Sequence, residues 1–207
     1  MGKLFGSPAL IKVMRLFLLN SGISFENKDI AKRSRINLSA LRKELSLLFS
    51  IGFIIRQKFV KEIESIKKGK KIITKKRVEG WKLNISFKYI SELKDLLVGS
   101  DFLQKDDLAT MFKKTGKVKL LLVAGIFIKN DDSRLDLMLV GDKLNKSKIE
   151  ENIKRLGAEI GKELSYAIFE TEEFVYRLDM YDKLVRDVVD YPHERIIESK
   201  EFSTYSF

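Results

Sequence analysis

Ser39, Arg42, Lys43 and Ser46 fall on one side of a helical stretch whose other side is Leu41, Leu45 and Leu48. At 100° per residue the three leucines lie within about 60° of one another, a stripe that must be buried. The polar four then face outward, with Arg42 and Lys43 near the start of the helix. Such a face can recognise a polyanion. A guanidinium bonds a guanine edge through two parallel hydrogen bonds, and a short serine lets backbone and phosphate come close. Lys32, Arg33 and Arg35 lie just upstream, where a phosphate strand would pass.

The segment FENKDIAKRSRINLSALRKELSLLFSIG, residues 25–52, positions these side chains. It reads as two short helices joined by a polar turn, the layout of a helix-turn-helix whose second helix enters a DNA groove. The first of the two covers about Asn27 to Arg33, with Ile30 and Ala31 inward and Phe25 and Ile36 as flanking packing residues. Asn37 is the expected cap of the second, and Gly52 suits its far end, where a left-handed residue is needed. Upstream, Ser7-Pro8 opens a further helix with a capping side chain and a first-turn proline. Leu10, Ile11, Met14, Phe17 and Leu18 make its apolar stripe, and Asn20-Ser21-Gly22 ends it.

Two strands rich in Ile, Val and Phe are expected next, Phe53 to Val60 and Ile72 to Leu83, linked by KEIESIKKGKK with Gly69 near the turn. Three helices and a β-hairpin, in that order, make a winged helix. Residues 61–77 hold eight Lys/Arg and two Glu, which places Lys67, Lys68, Lys70 and Lys71 near phosphates and gives affinity more than sequence choice. A helix from about Phe87 to Val98 packs against this domain. Gly99-Ser100-Asp101 is the boundary candidate, dividing the chain into residues 1–100 and 101–207.

The second half changes class. A helix is expected over about Asp106 to Lys114, a buried strand over Val118 to Ile128, the turn KNDDS, and a strand from Leu135 to Val140. A helix near Ser147 to Gly161 carries Ile149, Ile153, Leu156 and Ile160 in one stripe, followed by a strand from Ser165 to Phe169. Thr171 is read as the cap of one long helix with Phe174, Leu178, Tyr181, Val185 and Val188 inward. Strands alternating with helices imply a small α/β domain, so the chain as a whole reads as α+β.

Charge divides the same way. Residues 1–100 hold 22 Lys+Arg against 8 Asp+Glu, and residues 101–207 hold 18 against 21, within a net charge of +11. A basic first half beside a slightly acidic second half assigns the polyanion to the first. The absence of cysteine excludes a disulfide framework and thiolate metal sites and is compatible with a reducing cytoplasm. A single histidine, His193, excludes a multi-histidine metal site and reads as a turn residue. The longest apolar run, Leu120 to Ile128, is far short of the roughly 18 residues a membrane span needs. MGKLFGSPAL lacks the long apolar region of a signal peptide, so a cytoplasmic location is expected. Trp81 reads as a packing anchor, and Arg177 as the partner of Glu173 one helical turn earlier.

The segment VAGIFIKNDDSRLDLMLVGD, Val123 to Asp142, resembles the strand-turn-strand core of minimal nucleotidyltransferase domains. Members of that family typically carry Gly-Ser after the first strand and two acids one position apart on the second. With a third acid on a neighbouring strand, these hold the metal ions that clamp a nucleoside triphosphate. Here Gly125 matches the glycine, but Ile126 replaces the serine. Asp136 matches the second acid, but Arg134 stands where the first should be, and Ser165 to Phe169 holds no acid, Glu170 coming only at its end. A cation in a ligand position repels Mg²⁺.

The chain as a whole resembles predicted transcriptional regulators that join an N-terminal winged helix to a degenerate nucleotidyltransferase-like domain. The resemblance rests on Leu41 to Gly52, Trp81-Lys82-Leu83-Asn84, Asp136 to Asp142, Glu173-Phe174 with Tyr176-Arg177, and Tyr191-Pro192. It implies a regulator that binds double-stranded DNA and uses no cofactor or metal. The second domain would act as a sensor for an unknown small-molecule or nucleotide effector, or as an association module. A homodimer would match paired half-sites. The alternative is an enzyme transferring a nucleotide to a protein, RNA or small molecule, with Asp136 among its metal ligands.

Overall fold

The computed structural model describes residues 4–67, 70–98, 105–130 and 132–205. The chain is α+β and separates into two compact units. The first comprises Met1–Val98 with the short segment Ala158–Lys162, and the second Gly99–Gly157 with Glu163–Phe207. Gly69, Lys68, Asp131 and the Gly99-Ser100-Asp101 boundary lie outside the described residues.

In the first unit, α1 (Pro8–Leu19), α2 (Asn27–Ser34) and α3 (Leu38–Ser50) precede the strands β1 (Ile54–Lys67) and β2 (Lys70–Leu83), and α4 (Ile90–Leu97) follows. Val13, Phe17, Ile30, Leu41 and Phe53 are fully buried where the three helices meet the base of the hairpin. The Ser7 hydroxyl accepts from the Leu10 amide, 3.2 Å, and Pro8 occupies the first turn, as the sequence requires. Arg15 is buried on α1 and donates to the Leu97 carbonyl at 2.8 Å and the Glu159 carbonyl at 3.0 Å, which ties α4 and the segment 158–162 to α1.

The hairpin is longer than its apolar runs suggest. KEIESIKKGKK is not a link: β1 runs on through Lys67, and the register from Ile54↔Leu83 to Lys67↔Lys70 is unbroken. Lys and Glu with scattered Ile continue there, and the backbone pairing of the two strands propagates through them. Phe25 adds a third, single-residue strand beside Trp81, each amide donating to the other's carbonyl at 2.9 Å.

In the second unit, α5 (Lys105–Lys113) precedes β3 (Lys117–Val123), β4 (Leu137–Asp142), α6 (Lys146–Ile160) and β5 (Tyr166–Glu170). Then come α7 (Thr171–Asp179), α8 (Lys183–Val189) and β6 (Glu194–Glu198). The sheet order is β5-β4-β3-β6, with only β4 and β5 parallel. Leu120, Leu122, Met138 and Val140 join one core with Phe169, Phe174, Val185 and Phe202. Leu121, Leu137 and Leu139 are also fully buried, so β3 and β4 are covered on both faces, which explains their uninterrupted apolar runs.

Four details of the second unit differ from the sequence reading. The strand expected to reach Ile128 stops at Val123, and Gly125–Ile128 forms a 3₁₀ turn opened by Gly125 at φ +55°. The long helix after β5 is broken. Tyr181 is left-handed and exposed, so it cannot face inward, and the Asp182 carboxylate accepts from the Leu184 and Val185 amides to start α8. Thr171 is the first residue of α7 instead of its cap, a position held by Glu170. Strand β6 has no counterpart in the sequence reading, its Ile196-Ile197 pair being too short to register as an apolar run.

Candidate nucleic-acid interface

The geometry of α3 follows from its two ends and its leucines. The Asn37 side chain accepts from the Ala40 amide at 2.8 Å, and Gly52, at φ +77°, turns the chain into β1. Leu41, Leu45 and Leu48 are 0%, 2% and 1% exposed. Ser39, Arg42, Lys43 and Ser46 are all exposed on the opposite side. The side chains of Arg42, Lys43 and Lys32 make no hydrogen bond or ion pair with another described residue.

Glu44, the only acid on α3, faces away from these cations. It is buried on the leucine side and accepts from the Ser7 hydroxyl at 2.6 Å, so one carboxylate secures α3 to the start of α1. Its place 60° from Leu41 on the helical wheel was the sequence signal for this role. On α2, Lys32, Arg33 and Arg35 are exposed as well. The Arg33 guanidinium lies 5.4 Å from the Phe25 ring centre, and Arg35 closes the helix in a left-handed conformation.

At the base of the hairpin Phe49, Trp81 and Arg56 form a stack. The Phe49 and Trp81 rings meet edge-on at 5.5 Å, and the Arg56 guanidinium lies 5.6 and 5.5 Å from their centres. The Trp81 indole donates to Asn27 at 2.7 Å, which makes it an anchor between α2 and the hairpin. Farther out, Lys61 is taken by the protein itself. Its ammonium donates to Asp29 at 2.6 Å and Glu26 at 2.8 Å, and these hydrogen bonds raise its pKa above the ordinary lysine value. Lys71, Lys75, Lys76 and Arg77 are exposed. Lys67 and Lys70 pair through their backbones, but their side chains, like Lys68 entirely, lie outside the described residues.

The second unit's strand-turn-strand is closed around Asp136, which is 3% exposed. One carboxylate oxygen accepts from the Ile126 amide at 3.0 Å and the other from the Ser165 amide at 2.9 Å. A Cβ at Gly125 would come within 2.3 Å of that carboxylate, so the glycine makes room for this lock. Arg134 points to Asp187 at 2.8 Å, and Glu170 is exposed at the start of α7. No cluster of three His, Cys, Asp or Glu that could hold a metal ion occurs among the described residues.

Asp142 lies at the end of β4. The neighbouring Thr171 hydroxyl and then the Lys119 ammonium, 3.0 Å away, hold its carboxyl below the ordinary aspartate range. Lys119 bridges Asp142 at 3.0 Å and Glu201 at 2.7 Å, and its own pKa is raised, chiefly by Glu201. Arg177 bonds Glu173 at 2.9 Å, one turn earlier, and also Asp182 at 3.2 Å. The His193 ring lies 2.9 Å from the Tyr191 carbonyl in its turn. No helix among the described residues is long and apolar enough to cross a membrane. No family model, curated protein or solved structure matches the chain.

Proposed function

We propose that the first unit is a winged helix that binds double-stranded DNA, and that the chain is a transcriptional regulator. One observation carries this reading: α3 buries Leu41, Leu45, Leu48 and its only acid while leaving Ser39, Arg42, Lys43 and Ser46 exposed, the two cations without partners among the described residues. That is the face a recognition helix offers to base edges and phosphates. The order of the elements, with Phe25 pairing beside β2 at the base of a two-stranded hairpin, supports the winged helix. The second unit is read as a sensor or association module without nucleotidyl transfer, supported by an Asp136 whose two oxygens are occupied by backbone amides. Two copies on paired half-sites complete the proposal, and sedimentation of the DNA complex counts them.

Binding to a duplex of about 25 base pairs, followed by fluorescence anisotropy, tests the reading. With six or more phosphates contacted, affinity is expected to fall by about three orders of magnitude between 50 and 200 mM salt. Absence of binding by folded protein at low salt would sink it.

A further inference from the structure

The four-stranded sheet of the second unit has two edges, and they are finished differently. At one, β6 carries Glu194, Arg195 and Glu198, its register with β3 shifts between Leu121 and Leu122, and Lys105 of α5 reaches Glu194 at 3.1 Å. Charge, an irregular register and a neighbouring helix are the usual guards of an edge strand. At the other edge β5 reads Tyr-Ala-Ile-Phe-Glu, with one charge at its last position, no lysine or proline, and an unbroken register with β4. Among the described residues no strand pairs with its outer side.

Backbone geometry fixes what that side presents. The Ser165 carbonyl accepts from the Asp136 and Leu137 amides, so Ser165 faces β4. By alternation Ala167 and Phe169 also turn their backbone groups to β4, and Tyr166, Ile168 and Glu170 turn theirs outward. The Phe169 side chain is buried against Phe174, which holds the edge in place.

We propose that the outer edge of β5 pairs antiparallel with β5 of a second copy of this chain, with Ile168 on the two-fold axis. The inference deepens, and rests on, the reading of the second unit as an association module. The edge is complementary to itself. With Ile168 opposite its own copy, Tyr166 lies opposite Glu170 of the second copy. Outward-facing residues set opposite one another form the hydrogen-bonded pairs of an antiparallel ladder, so the two Ile168 residues exchange N–H···O bonds. Glu170 caps α7 with its carbonyl and keeps its amide for the Tyr166 carbonyl. The charge of the strand then meets a tyrosine that is 38% exposed and can donate its hydroxyl, and the two Glu170 positions stay about 13 Å apart along the ladder. A centre at Ala167 or Phe169 would need backbone groups already turned to β4. A centre at Tyr166 or Glu170 would leave half the strand unpaired. An edge of five residues is a small interface, so association in the micromolar range is expected.

Sedimentation velocity of the full chain without DNA, from about 1 to about 200 µM, tests the pairing. Wild type is expected to pass from monomer to dimer within that range. Ile168→Lys and Ile168→Glu each set like charges against one another at the axis and are expected to weaken the dimer at least tenfold. An equimolar mixture of the two brings opposite charges together and is expected to restore it, a recovery that unfolded variants could not give. Ile168→Pro removes an outward N–H, which an edge strand tolerates, and is expected to abolish the dimer with the circular dichroism of wild type retained. A dimer that survives these substitutions would overturn the β5 pairing and leave the association role standing. Variants that are monomeric alone and in mixture would overturn the axis at Ile168. A wild type that stays monomeric across the range would remove both the pairing and the association role, while DNA binding by α3 would be untouched.

Discussion

Replacing Asp136 by alanine separates a structural carboxylate from a metal ligand. In the structure it holds two amides from two different segments, Ile126 after β3 and Ser165 before β5. Hydrogen bonds to a charged acceptor contribute about 1.5–3 kcal/mol each, and an amide left buried without a partner costs about 1–3 kcal/mol. Ile126 is buried and pays this in full, whereas Ser165 is exposed and water can take over its amide. The expected loss is about 3 kcal/mol, or roughly 6–12 °C in Tm for a chain of this size. Asp136→Asn keeps one acceptor oxygen and should lose about half as much. Differential scanning calorimetry with and without Mg²⁺ reads the outcome. A metal-binding carboxylate predicts the reverse pattern, since relieving repulsion among ligands costs little stability and Mg²⁺ would raise the Tm of wild type alone. An Asp136→Ala Tm within about 1 °C of wild type would refute the structural argument. So would a Mg²⁺-dependent rise that the variant lacks.

Glu44→Ala removes the acceptor of the Ser7 hydroxyl and should cost about 1–3 kcal/mol in urea unfolding, with Glu44→Gln recovering most of it. Asp142 has a folded pKa below its ordinary value, so its contribution to stability is complete above the ordinary aspartate range and is lost as pH falls through the lowered value. Carboxyl-carbon NMR should place its midpoint below the ordinary aspartate value, and Lys119→Met should move it up. Lys61 has the opposite sign: its contribution is present below the ordinary lysine pKa and fades as pH rises through the raised folded value. Lys61→Met should accordingly flatten the loss of stability at high pH.

Much of the first unit was legible because local chemistry fixes it. A serine before a proline, an asparagine before an apolar periodic stretch and a glycine after it each mark a helix end on their own. Leu41, Leu45 and Leu48 set the rotation of α3, and rotation alone decides that Arg42 and Lys43 face out. The length of the hairpin was not legible, because Lys- and Glu-rich stretches such as residues 61–67 lack the apolar alternation by which strands are recognised. Lys61 looked like one more wing cation, and only the fold brings Glu26 and Asp29 to it. The second unit hid its details for a related reason. Gly125 reads equally well as a strand end or as a turn, until Asp136 is placed beside it. The break between α7 and α8 depends on a left-handed tyrosine, a conformation that residue type does not announce.

The central claim is that Arg42 and Lys43 contact DNA. It is tested most directly by anisotropy titration of one duplex with wild type and with Arg42→Ala/Lys43→Ala, at matched salt and with folding verified by circular dichroism. Tight, salt-dependent binding by wild type and a loss of at least tenfold in the double variant, about 1.4 kcal/mol, is the predicted result. Equal affinity of the two proteins would contradict it and move the search for a partner away from α3.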